Sequence, residues 1–261
     1  MGEIYPVIAG AETFYFEGND VGILISHGFM GTPESVVYVG KRLAQLGYTV
    51  LAPRLKGHGT HYHDLENCTK EDWFHSMEKA YNVLKRRCST IFVMGQSMGG
   101  TLALHLAHKF QSIQGIMLIN AALTIPTLEY VKGSTEPRFI DEGTPDIKAK
   151  NVHEITYQKT PLTAIHELQN LMESTPAILS NIKTPILGIK STIDHVCPPE
   201  NTEYILEKIG ATKKEIITLT NSYHVATMDN DKETIVEACH QFVKQQEKEN
   251  CFLLKGSGKN Y

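Results

Sequence analysis

Cysteine is scarce in this chain and poorly spaced for cross-links or metal. The five cysteines, Cys68, Cys88, Cys197, Cys239 and Cys251, are odd in number and far apart, and no C-x-x-C pair occurs. That argues against a disulfide framework and a thiolate zinc site. Long apolar runs are missing too; none approaches the ~20 residues that a membrane-spanning helix needs. The opening residues, Met1-Gly2-Glu3-Ile4-Tyr5-Pro6, carry neither a basic stretch nor an apolar core, so no signal peptide is expected. Pro6 stands where a myristoylation motif wants Ser or Thr. A reduced, cytoplasmic protein is the economical reading, with no stable membrane span but with room for transient membrane contact. Charge of one sign is also lacking. The formal net charge is −4, spread along the chain without a basic stripe, so nucleic acid is not an expected partner.

What is present is an alternation of short apolar runs with helical patterns. Residues 12–17 hold three aromatics, Phe14, Tyr15 and Phe16, and read as an edge strand. Val21–Ser26 is a continuous apolar run that suits a central parallel strand buried on both faces. Thr32 and Pro33 suit the N-cap and first turn of a helix that Gly47 ends. Apolar Trp73, Met77, Ala80 and Leu84 recur at helical spacing. Further strands are expected at 48–52, 91–94, 116–119, 184–189 and 215–219, and helices at 101–110, 199–209 and 231–244. This order predicts an α/β fold, a mainly parallel sheet covered by helices on both faces. Between 121 and 165 the pattern breaks, with Pro126, Pro137 and Pro145 and no strong periodicity. A plain loop of that length is unusual, so an inserted subdomain is expected. The core is then 1–120 with 166–248, and 249–261 reads as a flexible tail.

The run Gly95-Gln96-Ser97-Met98-Gly99 reads G-x-S-x-G between a strand and a helix. That is the context of a nucleophile elbow, in which small neighbours allow a sharp turn with the serine at its tip. The bland alternative is a glycine-rich turn whose Ser97 only caps the helix. A serine nucleophile needs a base, and the base an orienting carboxylate. In chain order Ser, acid, His, with each partner after a late strand, Asp194 and His224 fit. His195 competes as base, but a neighbour of Asp194 cannot easily face that carboxylate and also reach Ser97. Asp229 and Asp231 lie near His224 and are read as caps of the last helix. Asp194 could itself cap the turn at Pro198-Pro199.

Two backbone N–H groups are needed to hold an oxyanion. Met98, after the nucleophile, supplies one; the loop His27-Gly28-Phe29-Met30-Gly31 supplies the other, through Phe29. His27 is read as fixing that loop by hydrogen bonds. His58, His61, His63 and Asp64 sit close in sequence and could hold zinc, but they lack a helical i, i+4 pair and are read as loop residues.

With these residues placed, the chain resembles the bacterial carboxylesterases of the α/β-hydrolase superfamily, and more narrowly the bacillus-type monoacylglycerol lipases. The likeness runs through His27-Gly28-Phe29-Met30-Gly31, Pro53-Arg54-Leu55-Lys56-Gly57-His58-Gly59-Thr60, the elbow with Gly100, Ile119-Asn120-Ala121-Ala122-Leu123, Asp194-His195-Val196-Cys197-Pro198-Pro199 and Asn221-Ser222-Tyr223-His224-Val225-Ala226-Thr227. It implies an α/β-hydrolase fold, a cap built from the inserted stretch over an apolar acyl pocket, and no cofactor or metal. It implies a serine hydrolase acting on esters with a medium or long acyl chain, monoacylglycerols first; a broad short-chain carboxylesterase is the alternative, and a non-catalytic receptor of the same fold a further one. The resemblance also places a substrate-binding glutamate at Glu154. An ionised carboxylate is acceptor-only, so it suits the free hydroxyls of a glycerol ester.

Overall fold

The computed structural model describes residues 2–256, with residues 250–256 by backbone alone. In chain order come β1 (Phe14–Phe16), β2 (Val21–Ser26), α1 (Glu34–Gln45), β3 (Thr49–Ala52), a single turn α2 (Tyr62–Leu65) and α3 (Lys70–Lys85). Then follow β4 (Thr90–Gln96), α4 (Met98–Lys109) and β5 (Gly115–Ile119). A 3-10 turn (Pro126–Val131) and two short strands, β6 (Phe139–Asp141) and β7 (Lys159–Pro161), make up the insert. The chain returns through α5 (Leu162–Ser174), α6 (Pro176–Leu179), β8 (Ile186–Ser191), α7 (Glu200–Lys208), β9 (Lys214–Leu219), a second 3-10 turn (Ala226–Met228) and α8 (Lys232–Gly256).

Seven strands form one sheet in the order β1-β3-β2-β4-β5-β8-β9. Only β1 runs antiparallel, against β3; every other pairing is parallel. In β2, β3, β4, β5 and β8 the apolar runs are continuous because both faces are covered, whereas the edge strands β1 and β9 are partly exposed. Successive side chains go to opposite layers. Ile91 and Val93 of β4 join the layer of α3, α4 and α5, whereas Phe92 and Met94 join that of α1 and α8. Helix α3 starts in a capping box between Thr69 and Asp72 and buries Trp73, Met77, Ala80, Tyr81 and Leu84 along one stripe.

The expected cap of α1 does not form. Pro33, not Thr32, holds the N-cap position, already with helical backbone angles and with no side-chain cap bond. The Thr32 hydroxyl is buried without a partner among the described residues, and the Thr32 carbonyl accepts from both the N–H and the hydroxyl of Ser35. Gly47 does end α1 as expected, at φ +100°. Helix α5 begins at Leu162 and so crosses the expected boundary at 165. Helix α8 runs past Lys244 to Gly256, through part of the expected tail; residues 257–261 of that tail lie outside the described residues.

Ser97 follows β4, Asp194 follows β8 and His224 follows β9. All three strands are parallel, so the three side chains leave the sheet at its carboxyl edge, where open α/β sheets place their ligand crevices.

Candidate active site

The turn after β4 is tight enough to exclude any side chain at its two flanking glycines. A Cβ on Gly95 would lie 2.1 Å from the carbonyl oxygen of Gly99, and one on Gly99 would lie 2.5 Å from that of Ser26. Ser97 at the tip has φ +55°, a left-handed angle that a side chain pays for in strain. Its hydroxyl makes no cap bond to α4, although it stands at the N-cap position. The oxygen instead lies 3.0 Å from His224 Nε2.

His224 Nδ1 lies 2.8 Å from Asp194 Oδ2. A carboxylate only accepts, so Nδ1 carries the proton and Nε2 is left free to accept from Ser97. Asp194 and His224 are 1% and 8% exposed at their side chains, which shields this chain of contacts from water. The other oxygen of Asp194 accepts the N–H groups of Val196 and Cys197, so the carboxylate orders its own loop and faces His224 at once. His195 turns elsewhere: its Nδ1 pairs with Asp146 at 2.7 Å and its ring packs edge-on against Tyr223.

Gly28 brings the β2 loop against the elbow; a Cβ there would lie 3.2 Å from Ser97 Cβ. Gly28 and Phe29 line the same cavity as Ser97 and His224, while Met98 is fully buried at the start of α4. His27 is buried, donates from Nδ1 to the Gly28 carbonyl and accepts the Leu55 N–H at Nε2. Burial pushes its pKa down to about 4, so it stays neutral and ties two loops together. His58 is buried as well and packs edge-on against Trp73, whereas His61 stacks on Tyr5. No group of three His, Cys, Asp or Glu side chains suited to a metal ion occurs among the described residues.

The cavity measures about 380 Å³. The insert supplies one wall, with Leu128 and Ile140 as apolar lining and Asp141, Glu142, Asp146 and Glu154 as acidic lining. Glu154 is there, but not in the ionisation state expected. Burial first, and the neighbouring Glu34 second, push its pKa up to about 8. Near neutral pH it is therefore a carboxylic acid that donates as well as accepts, not an acceptor-only carboxylate.

Three further residues organise the site; Asn120 and Asp146 had no role assigned from sequence, and Asp229 a different one. Asn120, at φ +45°, donates from Nδ2 to the carbonyls of Tyr223 and His224 and accepts the Ser191 N–H. Asp146 of the insert accepts the His224 N–H at 3.1 Å. Asp229 is fully buried and accepts four N–H groups, from Lys148, Ala149, Tyr223 and Asn230. Its carboxylate thus joins the insert to the His224 loop, whereas a helix cap was expected. Asp231 does stand at the head of α8, where its carbonyl accepts the Ile235 N–H, while its carboxylate reaches back to the Asn221 N–H. Asn120 sits in a run that the family resemblance marks; Asp146 carries no local signal, because its partners lie 49 and 78 residues away.

The family model for serine aminopeptidase, S33 (Hydrolase_4) matches residues 19–231. The chain is 48% identical to a thermostable monoacylglycerol lipase from Bacillus sp. (strain H-257), over 93% of this chain and 98% of that protein. It is 26% identical to a carboxylesterase from Bacillus subtilis (strain 168), over 89% of this chain and 96% of that one. A solved structure from the work on the metagenome-derived lipolytic enzymes LipS and LipT superposes with a TM-score of 0.89 at 41% identity, covering 92% of this chain and all of the other.

Proposed function

Because this chain belongs to the Hydrolase_4 (serine aminopeptidase, S33) family of α/β-hydrolases, we propose that Ser97, His224 and Asp194 form the catalytic triad of a monoacylglycerol hydrolase. The protein is an ester hydrolase. Ser97 Oγ attacks the ester carbonyl and gives its proton to His224 Nε2, while Asp194 holds the imidazole in the required tautomer. The N–H groups of Phe29 and Met98 bind the oxyanion, with the N-terminus of α4 adding favourable potential. His224 then protonates the departing glycerol, and water cleaves the acyl-enzyme by the reverse sequence. Residues 121–165 act as the cap, whose Leu128 and Ile140 face the acyl chain and whose Glu154 faces the glycerol hydroxyls.

The observation that carries the chemistry is the hydrogen-bonded run from Ser97 to His224 to Asp194 inside one cavity. The glycerol ester rests on the likeness to the Bacillus sp. lipase. A reduced compartment, the cytoplasm, suits the buried free thiols of Cys68, Cys88, Cys197 and Cys239. No helix among the described residues is long and apolar enough to cross a membrane.

The test is a chain-length series of monoacylglycerols beside the matching nitrophenyl esters and an aminoacyl nitroanilide. Hydrolysis of the glycerol esters, fastest with medium or long chains, is expected, with the anilide untouched. Ser97→Ala should abolish turnover and fluorophosphonate labelling while the protein stays folded, a loss of several powers of ten. Labelling that survives in Ser97→Ala would place the nucleophile elsewhere.

A further inference from the structure

The backbone of the His224 loop is held from two sides. Its carbonyls, those of Tyr223 and His224, are held by Asn120 on the core side at 3.2 and 2.9 Å. Its N–H groups are held largely from the insert. The His224 N–H donates to Asp146 Oδ2, and the Val225 N–H donates to the Asp146 carbonyl, each at 3.1 Å. Asp146 Oδ2 also accepts the His195 N–H at 3.1 Å, and its Oδ1 meets His195 Nδ1. One side chain, 15% exposed, thus joins the insert to the loop of the acid and to the loop of the base. Asp229 adds a second tie, gathering Lys148 and Ala149 of the insert with Tyr223. The same stretch, Thr144-Pro145-Asp146, lines the substrate cavity.

From this geometry we infer that Asp146 is a positioning residue for His224, so that the insert not only covers the substrate but also aims the base. The inference rests on the reading of His224 as base. A backbone N–H fixed at the residue itself sets where the imidazole swings from. The Nε2–Oγ contact of 3.0 Å leaves little slack for that swing. An error of about 1 Å in such a contact costs on the order of a hundredfold in rate.

The experiment compares Asp146→Ala, Asp146→Asn, His195→Ala and His224→Ala in the full chain. Asp146→Ala is expected to lower kcat about ten- to a hundredfold. The loss should be equal on a monoacylglycerol and on the nitrophenyl ester, since aiming the base is indifferent to the alcohol. The low-field proton resonance of the Asp194–His224 hydrogen bond should weaken with it. Asp146→Asn keeps a carbonyl oxygen for the His224 N–H and should restore most of the rate and the resonance. His195→Ala should leave kcat nearly unchanged, because it removes a partner of Asp146 and not the tie to His224. An unimpaired Asp146→Ala beside an inactive His224→Ala would overturn the positioning role alone. A loss in His195→Ala as large as in Asp146→Ala would also overturn it, by routing the effect through His195. An active His224→Ala would remove the premise instead.

Discussion

A carboxyl group kept as the neutral acid is a different ligand from a carboxylate. Glu154 is kept so by burial and by Glu34, which approaches from the first turn of α1 and accepts the Ile155 N–H; Glu142 adds a smaller push from the insert. With a pKa near 8, Glu154 can give a hydrogen bond to one glycerol hydroxyl and take one from another. Glutamine offers the same pair of roles. Glu154→Gln is therefore expected to be mild on monoacylglycerols near neutral pH, while Glu154→Leu should lower kcat/KM severalfold on them and leave the nitrophenyl ester almost untouched. Above about pH 8 wild-type Glu154 loses its donor. The ratio of monoacylglycerol to nitrophenyl activity should then decline in the wild type and stay flat in Glu154→Gln. A ratio independent of pH in both would detach Glu154 from the glycerol. The sequence carries the identity of this residue but not its protonation, which is set first by burial in the fold and then by Glu34, a group 120 positions away.

The elements that build the site divide by how local their causes are. The central strands β2, β3, β4, β5 and β8 were legible because burial on both faces leaves a continuous apolar run, and the elbow because its glycines, serine and flanking elements lie within one short window. The strands β6 and β7 were not: each is three residues like β1, but without the run of three aromatics that marks β1. The single turns α2 and α6 escaped for the same reason. The loops after β8 and β9 could be matched to an acid and a base by chain order, but the ties that hold them cross to the insert and leave no trace in a linear pattern. Two substitutions separate the kinds of work done in these loops. In Asp194→Asn, the remaining oxygen still accepts from Val196 and Cys197, but the amide NH2 faces His224 Nδ1. That favours the tautomer protonated at Nε2, so kcat should fall about 10⁴-fold with little change in Tm. Asp229→Asn instead sets an NH2 against two of the four backbone N–H donors, which share the two carboxylate oxygens in pairs. Leaving such buried groups unsatisfied costs about 1–3 kcal/mol apiece, so a Tm lower by several degrees is expected. Thermal melts beside steady-state kinetics check the pair. An Asp229→Asn that melts like the wild type would show that the tie between the insert and the His224 loop contributes little.

Over the whole molecule, the groups that the fold buries in unfavourable protonation states set how stability varies with pH. His27 and His105 are held neutral by burial, each with a pKa down to about 4. Between the ordinary histidine value of 6.5 and about 4 the unfolded chain binds more protons than the native one, so these groups withdraw stability as pH falls through that window. Glu154 acts in the opposite sense. Its native pKa of about 8 lies above the ordinary glutamate value of 4.5, so its favourable contribution is whole below 4.5 and is lost as pH rises to about 8. Glu34 and Glu142, both raised chiefly by burial, add to that loss on the alkaline side of the ordinary range. The two trends offset each other at mildly acidic pH, which predicts a plateau in Tm there with a decline on either side. Single substitutions should remove one limb at a time. Glu154→Gln cannot ionise, so its Tm should gain on the wild type steadily from about pH 4.5 to 8 and run parallel above. His105→Gln keeps a polar partner for the Thr175 hydroxyl, at 3.0 Å from His105 Nε2, and should gain on the wild type only as pH falls below 6.5. His105 lies on α4 far along the helix from Ser97, so ester hydrolysis by that variant should match the wild type at every pH. Melting curves from pH 4 to 9 decide it. A Glu154→Gln profile parallel to the wild type throughout would mean that Glu154 is solvated and ionised in the folded protein, and the donor role assigned to it at the glycerol site would fall with it.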